Sequence, residues 1–113
     1  MHEMSLALNI VEIITNKARE EEAKKITEID LEIGELAGIE QSALEFCMEA
    51  ACRDTLAEGA KVIYSPVEAL ARCGACQHEF KPEFLFTRCP SCNGFQVDVI
   101  QGKEFKIRSI NID

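Results

Sequence analysis

Two shifts of hydrophobic period and a late pair of cysteine knuckles predict an α+β chain. The expected architecture is two helices on a three-stranded sheet, with a zinc-ribbon-like module inserted before the last strand. The helices are read from apolar residues recurring every three to four positions, the strands from alternation, and the module from two C-x-x-C pairs.

The first helix is predicted over 4–22. Met4, Leu8, Val11, Ile14 and Ala18 form one stripe, widened by Ala7 and Ile10, with Asn9, Glu12, Asn16 and Arg19 opposite. The period then changes to two. Ile29, Leu31 and Ile33 alternate with Glu28, Asp30 and Glu32, which predicts a half-buried strand over 25–33. Gly34 and Gly38 punctuate the following loop. Ser42 and Glu45 fit a capping box that opens a second helix, ending near 53–55. In it Leu44, Cys47, Met48 and Ala51 lie at helical spacing, and Cys47 and Cys52 read as small core residues.

A second strand is expected over 61–68, on a sheet edge or at a bulge because Pro66 donates no backbone hydrogen bond. Asp98 and Val99 continue a short strand out of the cysteine module, and Gln101-Gly102 is the expected hinge back. The last strand is expected over 103–112. Phe105 and Ile107 share one phase, Ile110 and Ile112 the other, so a bulge or twist belongs near Ser109. The domain division is then 1–70 plus 103–113 for the main domain and 71–102 for the module.

Charge narrows the function classes. With 12 Lys and Arg against 20 Asp and Glu, the 113-residue chain carries a formal charge of −8. Nucleic-acid binders need basic side chains to replace phosphate counterions, and anionic lipid repels such a surface. No nucleic-acid or membrane partner is expected. No run approaches the ~20 apolar residues of a membrane span. The first residues lack the basic segment of a secretory signal, so a cytoplasmic location is expected. In that reducing compartment the six cysteines read as metal ligands or core residues.

Cys73-Gly74-Ala75-Cys76 and Cys89-Pro90-Ser91-Cys92 stand twelve residues apart. Two thiolates three positions apart on a tight turn reach one ion together, and two such turns complete a tetrahedron around Zn(II). Four protein thiolates leave no open position, so the site is expected to be structural. Gly74 and Gly94 are expected to relax the two turns. Phe80, Phe84, Leu85 and Phe86 supply a mini-core between the knuckles. His78, two residues beyond Cys76, is either an exposed side chain or an alternate zinc ligand.

The start, Met1-His2-Glu3, offers a second donor set. The α-amine of Met1 and the backbone and imidazole nitrogens of His2 close adjacent chelate rings on one ion. Nitrogen-rich tetragonal coordination suits Ni(II) and Cu(II). The Glu3 carboxylate can complete it, and the start of a helix at Met4 would favour a deprotonated amide ligand.

Met1-His2-Glu3 with Ser5-Leu6, Leu31-Glu32-Ile33-Gly34-Glu35-Leu36, Phe46, Ala57-Glu58-Gly59, the two knuckles and Ile110-Asn111-Ile112-Asp113 together resemble the HypA/HybF family of nickel-incorporation proteins. The resemblance runs in order along essentially the whole chain. It implies a non-enzymatic nickel metallochaperone that serves nickel–iron hydrogenase maturation. The implied partners are the GTPase HypB, the hydrogenase large-subunit precursor, urease maturation factors in some members, and a second copy of the chain. It implies nickel ligands at Met1, His2 and Glu3. An acidic residue after the first strand also contributes in some members. Glu40 takes that position here, where some relatives carry Asp; on the residues alone it is a solvated loop carboxylate or a ligand. Relatives that exchange zinc ligands carry a His after each knuckle. This chain has His78 but Asn93, so full exchange is not expected. The alternative function is a zinc-ribbon protein-interaction adaptor without nickel delivery, in which His2 is dispensable.

Overall fold

The computed structural model describes residues 2–83 and 87–113. The predicted class is found: helices α1 (Glu3–Glu20) and α2 (Gln41–Cys52), and strands β1 (Ile26–Gly34), β2 (Lys61–Val67), β3 (Leu70–Cys73), β4 (Glu79–Phe80), β5 (Val97–Gln101) and β6 (Phe105–Ile112). They form two three-stranded sheets, ordered β2-β1-β6 and β4-β3-β5. The chain divides into two compact units: Met1–Leu31 with Ile39–Ser65 and Lys106–Asp113, and Glu32–Gly38 with Pro66–Phe105.

In the first unit α1 packs against α2. Ala7, Ile10, Ile14 and Ala18 of α1 meet full or near-full burial with Ile26, Ile29 and Leu31 of β1 and Leu44 and Met48 of α2. The buried stripe of α1 is rotated from the predicted one. Met4 is 39% and Leu8 54% exposed, while Thr15 is buried. Thr15 is tolerated there because its hydroxyl donates to the Val11 carbonyl at 2.7 Å, leaving no unsatisfied polar atom. α1 also stops two residues earlier than predicted. Glu22 takes a left-handed conformation (φ 57°), and the amides of Glu22 and Ala23 return to the carbonyls of Arg19 and Ala18. A glycine is the usual signal for such a stop, and here a glutamate holds the position.

α2 also begins differently. Its N-cap is Glu40, not Ser42: the Glu40 carboxylate accepts from the Ala43 amide at 3.0 Å, and Ser42 lies inside the first turn. Glutamate is not among the usual capping residues, so the S-x-x-E pattern pointed to a position two residues late. Cys52 is buried and Cys47 half-buried, in keeping with core roles.

β1 keeps its predicted alternation, with Ile29, Leu31 and Ile33 buried between half-buried Asp30 and Glu32. It lies at the centre of its sheet, so both of its edges are paired. β2 is an edge strand, which accommodates Pro66. In β6, Phe105, Ile107 and Ile110 are half-buried while Arg108 and Ser109 are both exposed. That change of phase falls beside Ser109 as expected.

In the second unit β3 pairs antiparallel with β4 (Ala71 with Phe80, Arg72 with Glu79) and with β5 (Ala71 with Val99, Arg72 with Asp98, Cys73 with Val97). Strands β3 and β4 were not anticipated; both are shorter than the mean strand, and neither shows sustained alternation. Ala69, Ala71 and Pro82 are buried, and Phe80, paired with Ala71, is half-buried. Phe84, Leu85 and Phe86, the rest of the expected mini-core, lie outside the described residues. Gly34 and Gly102 approach so closely that a Cβ on Gly34 would overlap the Gly102 carbonyl. Gly102 itself has φ 103° and lies against Ala69, so the expected hinge is a fixed left-handed corner. No described helix is long and apolar enough to cross a membrane.

Candidate metal centre

Each knuckle is built by the same two backbone hydrogen bonds. The Cys73 amide donates to the His78 carbonyl at 2.9 Å, and the Gln77 amide to the Cys73 carbonyl at 2.8 Å. In the second knuckle the Cys89 amide donates to the Gly94 carbonyl at 3.0 Å, and the Asn93 amide to the Cys89 carbonyl at 2.8 Å. Gln77 and Asn93, four residues after the first cysteine of each knuckle, are both left-handed (φ 66° and 62°). The turns are therefore closed at these positions and not by Gly74 and Gly94. The glycines serve close approach instead: a Cβ on Gly94 would press on the Cys92 sulfur, and one on Gly74 on the Gln96 carbonyl. Asn tolerates the left-handed region and is a readable signal; Gln is not.

The two turns bring Cys73, Cys76, Cys89 and Cys92 together, all four sulfurs lying within 4.8 Å of one another. Sulfurs pair across the knuckles, Cys73 with Cys92 and Cys76 with Cys89, each at 3.6 Å. A tetrahedral metal with metal–sulfur bonds of about 2.3 Å needs sulfurs about 3.8 Å apart, so the donor set fits Zn(II). Cys73 and Cys89 are buried, Cys76 and Cys92 exposed.

The cluster is electrostatically uneven. The Cys76 amide, with that of Ala75 and contacts from the Cys92 and Cys76 sulfurs, lowers the Cys73 thiol to about 7 against its burial. Burial opposes ionisation of Cys89, but the Cys92 and Ser91 amides outweigh it and its pKa falls. The Gly94 amide favours ionised Cys92, yet hydrogen bonds with Cys73 and Cys76, burial and the contact with Cys89 together push that thiol up to about 12. Backbone amides thus prepare one buried thiolate in each knuckle for a cation, which would ionise the rest. A four-sulfur set of this kind suits a structural metal such as zinc.

His78 is exposed and stands outside the four-cysteine cluster. Its ring stacks on Phe80, with centroids 5.9 Å apart and an interplanar angle of 12°.

The other candidate ligands sit in the first unit. Met1 lies outside the described residues. His2 is the exposed N-cap of α1 and its side chain makes no capping hydrogen bond, so the imidazole is not committed to the helix. Its carbonyl accepts the first helical bond, from Leu6 at 3.2 Å. Glu3 opens the helix, where a carboxylate favours the positive end of the helix dipole. Its Oε2 accepts from the Glu40 amide at 3.3 Å, so two residues 37 positions apart meet. The Glu40 carboxylate points into α2: the Ser42 hydroxyl donates to Oε1 at 2.9 Å and Oε2 at 2.7 Å, and the Ala43 amide to Oε2 at 3.0 Å. These bonds, Ser42 first, hold the Glu40 carboxyl below the usual carboxylate range.

The family described as "Hydrogenase/urease nickel incorporation, metallochaperone, hypA" matches residues 1–112. This chain belongs to the HypA family. It is 44% identical over 113 residues to the hydrogenase maturation factor HypA of Chlorobaculum parvum, with both chains covered in full. It is 47% identical to that of Chlorobium limicola, across 100% of this chain and 97% of the relative. The solution structure of the Ni metallochaperone HypA from Helicobacter pylori superimposes with a TM-score of 0.72 at 25% identity, covering 99% of this chain and 97% of that one. Membership places the chain among hydrogenase maturation factors, a family of metallochaperones and not of catalysts. The α+β fold anticipated from the sequence is shared with the Helicobacter pylori HypA structure.

Proposed function

We propose that the protein is a nickel metallochaperone that takes Ni(II) at its N-terminus and delivers it during nickel–iron hydrogenase maturation. Met1 supplies the amine, His2 its imidazole and backbone nitrogen, and Glu3 a carboxylate oxygen. Whole-length membership in a nickel-incorporation family carries this reading, together with an exposed His2 whose side chain is free of the helix it caps. Cargo ligands on a chain end are released one at a time, which suits handover. Zn(II) held by Cys73, Cys76, Cys89 and Cys92 is the resident, structural metal.

The division 1–70 plus 103–113 for nickel and 71–102 for zinc follows from the same reading, as do a cytoplasmic location and the absence of catalysis. HypB and the hydrogenase large-subunit precursor are the proposed partners, with urease maturation factors and self-association further candidates. The reading is tested in cells lacking this protein, complemented with the native chain or with His2→Ala. Loss of nickel from the hydrogenase in the variant, at equal protein level and zinc content, is the expected result. Full hydrogenase nickel with His2→Ala would leave an interaction adaptor as the better account.

A further inference from the structure

Glu40 occupies the position at which the family resemblance implied a further nickel ligand, and its hydrogen bonds assign it other work. Both of its carboxylate oxygens accept from the start of α2, from the Ser42 hydroxyl and the Ala43 amide. A carboxylate in that arrangement is turned onto the helix end, and swinging it out to an ion would leave a helix-end amide without its partner. The backbone of the same residue faces the other way. Its amide donates to Oε2 of Glu3, while Oε1 of Glu3 has no partner among the described residues.

We propose that Glu40 is a positioning residue and not a ligand: by capping α2 it fixes the backbone amide that holds Glu3 beside His2. This inference rests on the nickel reading above and adds a role that the resemblance did not imply. Glu3 follows His2 directly, so an ion on the His2 chelate lies within reach of the free Glu3 oxygen. A carboxylate already anchored through one oxygen loses less freedom when the other binds. The ends of α1 and α2 thereby form one support for the cargo site, and loosening the α2 cap weakens the hold on the ion.

The test titrates nickel into tag-free, zinc-loaded protein against a competing chelator, comparing native, Glu40→Gln, Glu40→Ala, Glu3→Gln and His2→Ala chains. Glutamine keeps an oxygen that caps but is a poor nickel ligand. Glu40→Gln should therefore bind within about twofold of native with an unchanged nickel absorption spectrum, whereas Glu40→Ala should weaken binding by roughly fivefold. In metal-free protein, Glu3→Gln should shift the residue-40 amide resonance, because it alters the acceptor of that amide. If Glu40→Gln weakens nickel as much as Glu40→Ala and changes the spectrum, while helix content is native in both, Glu40 is a ligand and the proposal is overturned. An unmoved residue-40 amide in Glu3→Gln overturns it independently of nickel. If native and His2→Ala titrate identically, the parent reading itself fails, a result none of the Glu40 variants can mimic.

Discussion

Two carboxylates show how the same residue type answers to different physics. Glu3 and Glu40 are both exposed or half-exposed acids near helix starts, yet one accepts a single amide and the other fills a cap. Because the Ser42 hydroxyl, and after it the Ala43 amide, lower the Glu40 pKa, its contribution to stability is fully present above the ordinary carboxylate value. It is lost as pH falls through the depressed one. The stability difference between native and Glu40→Gln should therefore be constant from neutrality to mild acid and shrink only below about pH 4. Thermal melts across that range check it; a difference that disappears already at pH 6 would point to another titrating group. At the knuckles, Cys89→Ser removes a buried sulfur prepared for ionisation by the Cys92 and Ser91 amides. Zinc binding is worth on the order of 10 kcal/mol to such a module. Less than one zinc equivalent and lost dispersion in the module's amide resonances are expected, with the residues around Glu3 unchanged. A full equivalent with native spectra would contradict four-sulfur ligation.

At the scale of the element, period and punctuation were legible, and boundaries and rotation were not. The alternation of Ile29, Leu31 and Ile33 announced β1, and Pro66 announced an edge strand. The stripe of α1 was read with Met4 and Leu8 inside because both are apolar. Thr15 is inside instead, since a hydroxyl that bonds back to its own helix is no burden in the core. This has a measurable consequence. Ile10→Ala should cost about 2–5 kcal/mol and Leu8→Ser less than about 0.5 kcal/mol in denaturant unfolding of the zinc-loaded protein. Equal costs would restore the predicted stripe. Gly34 is a second case. It closes β1 instead of opening the loop, and its contact with Gly102 was not legible, because nothing local marks two segments 68 positions apart as touching. Gly34→Ala should destabilise by about 1–3 kcal/mol through overlap with the Gly102 backbone. An unchanged denaturation midpoint would show that the approach is looser than described. The short strands β3 and β4 were not legible because runs of four and two residues are too short to show alternation.

For the whole molecule, the cysteine spacing and the first three residues carried most of what could be known. The knuckles specified a four-sulfur cluster, and the sulfurs do converge. The spacing did not reveal that left-handed Gln77 and Asn93, and not Gly74 and Gly94, close the turns. The Met1-His2-Glu3 start suggested a nickel site; its third residue accepts from the Glu40 amide, a link that only the folded chain displays. The most direct measurement is a nickel titration of tag-free, zinc-loaded protein with its native start, with His2→Ala, and with one added N-terminal Gly. One stoichiometric Ni(II) on the native chain is expected, weakening in acid as protons compete for amine and imidazole, and lost in both variants. Undiminished binding in both variants would place nickel elsewhere and contradict the N-terminal site.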